Sequence, residues 1–199
     1  MIVAFTLFVS GCGAANTEEK AKSAYKALNA SADATDLVMS TVLSSWHFSI
    51  DEGEKYITDY DTGCIAFKRS VGIPDSVDVK EVINTVIKGS AYESPRLAGM
   101  VFKEASYCVV GGLKCIEKAG ITESLEKTMK EAKDSIKEIS DKNPNAKYLE
   151  GLKKYYSELE SYKEFATNPT GSYIQAQSTA ETYRANLKKC KNDLSFDLE

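Results

Sequence analysis

The sequence predicts an all-α protein, an elongated antiparallel bundle of about five or six helices. Three observations carry that prediction. Apolar and small residues recur in alternating steps of three and four over most of the chain. Only 4 prolines and 12 glycines interrupt its 199 residues, a length that suits one domain. The breaks that do occur are sharp pairs, Asn143-Pro144 and Asn168-Pro169, which suit the short links of antiparallel neighbours.

The first helical pattern begins at Asn16, which pairs with Glu19 as in a capping box. Ala21, Tyr25, Leu28, Ala32, Thr35, Met39, Val42, Trp46 and Ser49 then mark one seam. A single helix is expected from about residue 17 to 60, with Gly53 bending or ending it. Between Asp61 and Pro74 the pattern breaks, and Cys64-Ile65-Ala66-Phe67 suits a last helical turn, a loop or a short strand. A second helix is expected from Asp75 or Ser76 to Gly89, with Val79, Val82, Ile83, Val86 and Ile87 on its apolar face.

Ser94-Pro95 places a capping Ser before a Pro at the first helical position, so a third helix is expected from there to Gly120. Gly111-Gly112 lies inside it and permits a kink or a close helix contact. The fourth helix runs from about Thr122 to Asp141, with Leu125, Met129, Ala132, Ile136 and Ile139 inward. Leu149, Leu152, Tyr156, Leu159, Tyr162 and Phe165 or Ala166 line the fifth. Ser172 and Gln175 offer a capping box to the last, whose seam is Tyr173, Ala176, Ala180, Tyr183, Leu187, Cys190 and Leu194.

Apolar residues make up 43% of the chain and charged residues 27%, which argues against disorder. Lys and Arg number 25 against 29 Asp and Glu, a net charge of -4 that does not point to nucleic acid as a partner.

The chain opens with the apolar stretch Ile2 to Val9, and its first charged residue is Glu18. Eight residues rise about 12 Å as a helix, far less than the roughly 30 Å hydrocarbon core of a bilayer. The stretch therefore reads as the apolar part of a secretory signal. It ends in Val9-Ser10-Gly11-Cys12, which resembles the lipobox of bacterial lipoproteins. That resemblance covers these four residues and the apolar run before them. It implies removal of residues 1–11, a diacylglycerol on the Cys12 sulfur and a place on the extracytoplasmic face of the cell membrane. Two acyl chains anchor stably where one is marginal. Residues 12–17 are small and polar and are expected to form a tether. Residues 18–199 form the folded domain.

Four further cysteines, Cys64, Cys108, Cys115 and Cys190, allow two disulfides in an exported chain, or serve as small buried apolar groups. Cys108 and Cys115 are about 10 Å apart along an intact helix and cannot pair there. No Cys-x-x-Cys pair suggests zinc. His47 is the only histidine and lies four residues before Asp51, so the two can face each other. No nucleophile motif accompanies it. Asp59-x-Asp61-x-Gly63 faintly resembles a calcium loop but lacks the later ligands, so a solvated acidic face is expected.

Tyrosine is abundant, at 11, with Tyr148, Tyr155, Tyr156 and Tyr162 clustered on one helix and Tyr173 and Tyr183 on the next. Tyr155 and Lys154 point away from the Leu152–Tyr156–Leu159 seam and are the candidates for an exposed binding patch. No catalytic residue, cofactor or metal is assigned from sequence. The expected function is a lipid-anchored envelope protein that binds a protein or other envelope component, or plays a structural role. The alternatives are a helical module that senses a small molecule, and an enzyme built on His47.

Overall fold

The computed structural model describes residues 10–198, with side chains from Asn16 onward. Among these residues the fold is all-α, a helical bundle with no strand. The described residues form seven α-helices: α1 (Ser10–Asp51), α2 (Tyr60–Val71), α3 (Val79–Ile87), α4 (Ala105–Lys118), α5 (Ile121–Lys142), α6 (Leu149–Thr167) and α7 (Tyr173–Leu198). Short 3-10 turns at Gly53–Tyr56, Ala91–Glu93 and Ala98–Lys103 join some of them. The stretch 12–17, expected as a tether, is helical backbone continuous with α1.

At 42 residues, α1 is about 63 Å long and forms the spine. Cross-contacts fix the direction of its neighbours. Lys20 pairs with Glu138 and Ser31 with Thr128, so α5 runs antiparallel to α1. Tyr155 and Tyr162 reach Asn29 and Asp36, so α6 runs parallel. Tyr25 and Asp36 meet Lys191 and Arg184, so α7 runs antiparallel. These four helices make an up-down-up-down bundle. Its seams are largely those the spacing predicts: Leu125, Met129, Ala132, Ile136 and Ile139 are all buried on α5. Ser172 and Gln175 form the reciprocal capping box of α7.

Buried hydroxyls on α1 have partners. Ser31 Oγ donates to Thr128 Oγ1 at 2.7 Å, and Thr35 and Ser45 donate to carbonyls one turn back. No buried side-chain polar atom among the described residues lacks a partner, as a dry interior demands.

Two sequence expectations need correction. The first helix does not reach residue 60. It stops at Asp51, and the chain turns at Gly53, where an added Cβ would lie 1.9 Å from the carbonyl oxygen of Phe102. Residues 64–67 then belong to α2, which Asp59 caps by accepting from the Thr62 amide at 3.1 Å.

Nor does one helix run from Ser94 to Gly120. Residues 98–103 form a 3-10 turn, the backbone becomes extended at Glu104, and α4 starts at Ala105. The reason is packing: a Cβ on Gly99 would sit 2.3 Å from the carbonyl oxygen of Ile57, so this segment lies directly on the backbone of the first turn. The side chain of Phe102 meets Phe48, Phe67 and Tyr60, with ring centroids 5.8–6.2 Å apart.

The Gly111-Gly112 pair makes the close contact that its sequence permits, without breaking α4. A Cβ on Gly112 would come within 2.2 Å of Ser45 Oγ on α1, and one on Gly111 within 2.5 Å of Ile83 on α3.

Candidate functional site

Close approach of α4 to α1 leaves the neighbouring face of α4 uncovered. Val109, Val110 and Leu113 lie on that face. Trp46, near the end of α1, forms a second wall, and Asn168-Pro169 of the α6–α7 link forms the third. The link is held there because α6 ends at Thr167, where Asn168 takes up the last carbonyls and Pro169 cannot continue the helix. The result is an open apolar groove of about 400 Å³ with Ser106, Thr167 and Asn168 as polar lining. Val110 is 43% exposed in it.

Trp46 is held from behind by Tyr173, whose ring meets it edge-on at 6.3 Å. The same tyrosine stacks on His47 at 5.9 Å. Ile174, the next residue in the chain, is 75% exposed. The groove offers apolar contact and the polar side chains of Ser106, Thr167 and Asn168, with no charged group and no nucleophile other than hydroxyls in its lining.

His47 and Asp51 do face each other, with Nδ1 3.2 Å from the carboxylate, but both are more than half exposed and neither lines the groove. Asp59 and Asp61 serve structure. Asp59 caps α2, and Asp61 binds Lys80 at 2.7 Å. No metal-binding cluster occurs among the described residues.

The predicted patch of Tyr155 and Lys154 is corrected at its first member. Tyr155 is 1% exposed and donates to Asn29 Oδ1 at 2.9 Å, while Tyr156 is the half-exposed one. The inward face of α6 is Leu152, Tyr155, Leu159, Tyr162 and Ala166. Lys154 is exposed, as expected, but has no exposed aromatic beside it in the form predicted.

Cys64, Cys108, Cys115 and Cys190 are all unpaired and buried. Burial pushes the thiols of Cys64 and Cys115 up to about 11 and that of Cys108 up to about 12, so at neutral pH they are protonated and poor nucleophiles. The side chain of Cys12 lies outside the described residues, as does Val9.

Two other clefts carry charged linings in which several of the charges are already paired. One, between α2 and α3, is lined by Asp61, Lys68, Asp75 and Lys80, which pair as Lys80–Asp61 and Lys68–Asp75. The other, between α1, α6 and α7, holds Asp36, which accepts from Tyr162 at 2.8 Å and from Arg184 Nε at 2.5 Å.

The groove is not among the candidates that the sequence offers. Gly111-Gly112 marks a close contact, and Val109 and Val110 adjoin it. Nothing local says that Trp46 and Pro169 meet there.

No family model matches the chain, and neither a curated protein nor a solved structure is significantly similar to it.

Proposed function

We propose that the chain is a lipid-anchored protein of the bacterial cell envelope whose helical bundle binds a macromolecular partner outside the cytoplasm, by contact and not by catalysis. The sequence Val9-Ser10-Gly11-Cys12 after an apolar run carries this reading. The geometry suits it. Cys12 belongs to the first turn of α1 and Trp46 to its last turns, on one uninterrupted helix. The 34 residues between them span about 51 Å, so an anchor at Cys12 would present the apolar groove well clear of the bilayer surface. The groove is the best binding surface on the domain because its lining is apolar and uncharged. A second reading, in which the same groove takes a small apolar ligand, draws on its size of about 400 Å³.

Mass spectrometry of the protein from bacterial membranes tests the anchor. The expected product begins at Cys12 and carries a diacylglycerol, and Cys12→Ser moves the chain out of the lipid-modified fraction. An unmodified Cys12 with residues 1–11 still attached, in a soluble fraction, would refute the reading.

A further inference from the structure

We infer that the cleft between α1, α6 and α7 binds a small zwitterion of the α-amino acid class, with its carboxylate on Lys188 and Lys191 and its ammonium on Asp33. This cleft shares no lining residue with the apolar groove. Its two charged walls repeat one spacing. Asn29, Asp33 and Asp36 fall on one face of α1 in steps of four and three, and Arg184, Lys188 and Lys191 take the same steps on α7. Because α7 runs antiparallel to α1, the contact of Asp36 with Arg184 sets Asp33 about level with Lys188 and Asn29 about level with Lys191.

Only the first of these levels closes on itself. Arg184 donates to Asp36 at 2.5 Å and to Ser40 at 3.2 Å. Toward the other end, Tyr25 Oη donates to the carbonyl oxygen of Lys191. Between these two contacts the cleft stays open. Asp33, Lys188 and Lys191 all line it, yet among the described residues Asp33 forms no ion pair with either lysine. The floor is the buried pair Tyr155 and Tyr162, whose hydroxyl protons go to Asn29 Oδ1 and Asp36. Each phenol oxygen can still accept from an ammonium, and the Asn29 amide keeps its N–H donors for a carboxylate. The volume is about 180 Å³. At about 30 Å³ of liquid per water, that is room for about six non-hydrogen atoms, the size of alanine. A simple anion would lie against Asp33, and a simple cation against two lysines, so the lining favours a ligand that carries both signs.

The inference does not depend on the lipid anchor or on the apolar groove, and its test touches neither. The full chain, in an uncharged detergent, is titrated with L-alanine and followed by the NMR signals of its backbone amides. Saturable shifts are expected at Asn29, Asp33 and Lys188. Propionate and ethylamine each carry one of the two charges, and each is expected to bind at least about tenfold more weakly, since a hydrogen-bonded charge contact is lost. An absence of saturable shifts at these residues, or propionate binding as well as alanine, would overturn the inference.

Two variants form the second arm. Asp33→Asn removes the partner of the ammonium, and Lys188→Gln removes one partner of the carboxylate. Both side chains are exposed and neither is held in an ion pair, so helicity by circular dichroism should not change. Each variant is expected to weaken alanine binding by about tenfold. Asp33→Asn should leave the weaker binding of propionate intact or improve it, because the repelling carboxylate is gone, whereas Lys188→Gln should weaken propionate as well. Alanine binding that survives both substitutions unchanged would count decisively against this cleft.

Discussion

Between Ala21 and Val42, α1 meets the long helices α5, α6 and α7 through small residues and two tyrosines. Between Ser45 and Asp51 it meets short elements through Phe48 and one glycine contact, Gly112 against Ser45. The first region is periodic. Each turn repeats the same kind of contact, and Tyr155–Asn29 and Tyr162–Asp36 are the same bond seven residues apart on both helices. The second is not periodic. Phe48, Phe67 and Phe102 form one aromatic hub, and Gly53, Gly63 and Gly99 let backbones or rings approach where no Cβ would fit. Repeated contacts share the load among many turns, whereas a hub concentrates it in a few residues.

The largest expected effect follows from that difference. Phe102 is fully buried and touches three other rings, so Phe102→Ala should cost about 4 kcal/mol of stability. Urea unfolding measures the total. Amide hydrogen exchange shows where it falls: α2 and α3 should lose protection first, with α5 and α6 affected less. Uniform loss of protection across all helices would show that the two regions unfold as one, and the contrast would fail.

A middle effect comes from the periodic side. Tyr162→Phe removes one donor to Asp36, which keeps its bond from Arg184. The expected cost is about 1 kcal/mol, because one hydrogen bond is lost and no charge is stranded. Tyr162 is otherwise packed against Tyr183 at 5.3 Å, a contact that Phe retains. A cost equal to that of Phe102→Ala would mean that the tyrosines too act as hubs.

The same contrast explains what can be read from the sequence. The seams of α5 and α7 and the capping box at Ser172 depend on neighbours three and four residues away, and these are legible. On α6, Leu152 and Leu159 leave both Tyr155 and Tyr156 as possible inward residues. Asn29, 126 residues distant, decides for Tyr155 by accepting its hydrogen bond. The segment from Ser94 to Glu104 carries a local helix signal, yet Gly99 and Phe102 answer to residues more than 30 positions away. The groove is illegible for the same reason, since Trp46, Val110 and Pro169 come from three separate elements.

The smallest expected effect concerns how short helices begin. Neither α5, entered from Gly120, nor α6, entered from Tyr148, has a side-chain cap, while α2 and α3 are capped by Asp59 and Asp78. A helix of three turns has fewer bonds with which to offset its open first turn, so its cap matters more. Hydrogen bonds from Thr62 to Asp59 hold that carboxyl below its ordinary range. Its folded-state pKa is thus lower than its unfolded one. The cap's contribution is present in full above the unfolded value, and it fades as pH falls through the folded one. Asp59→Asn keeps a capping acceptor that does not titrate. Denaturant midpoints from neutral pH to about pH 3 should therefore fall less steeply for Asp59→Asn than for the wild type. Equal slopes for Asp59→Asn and the wild type would remove the cap from the account of why the short helices form.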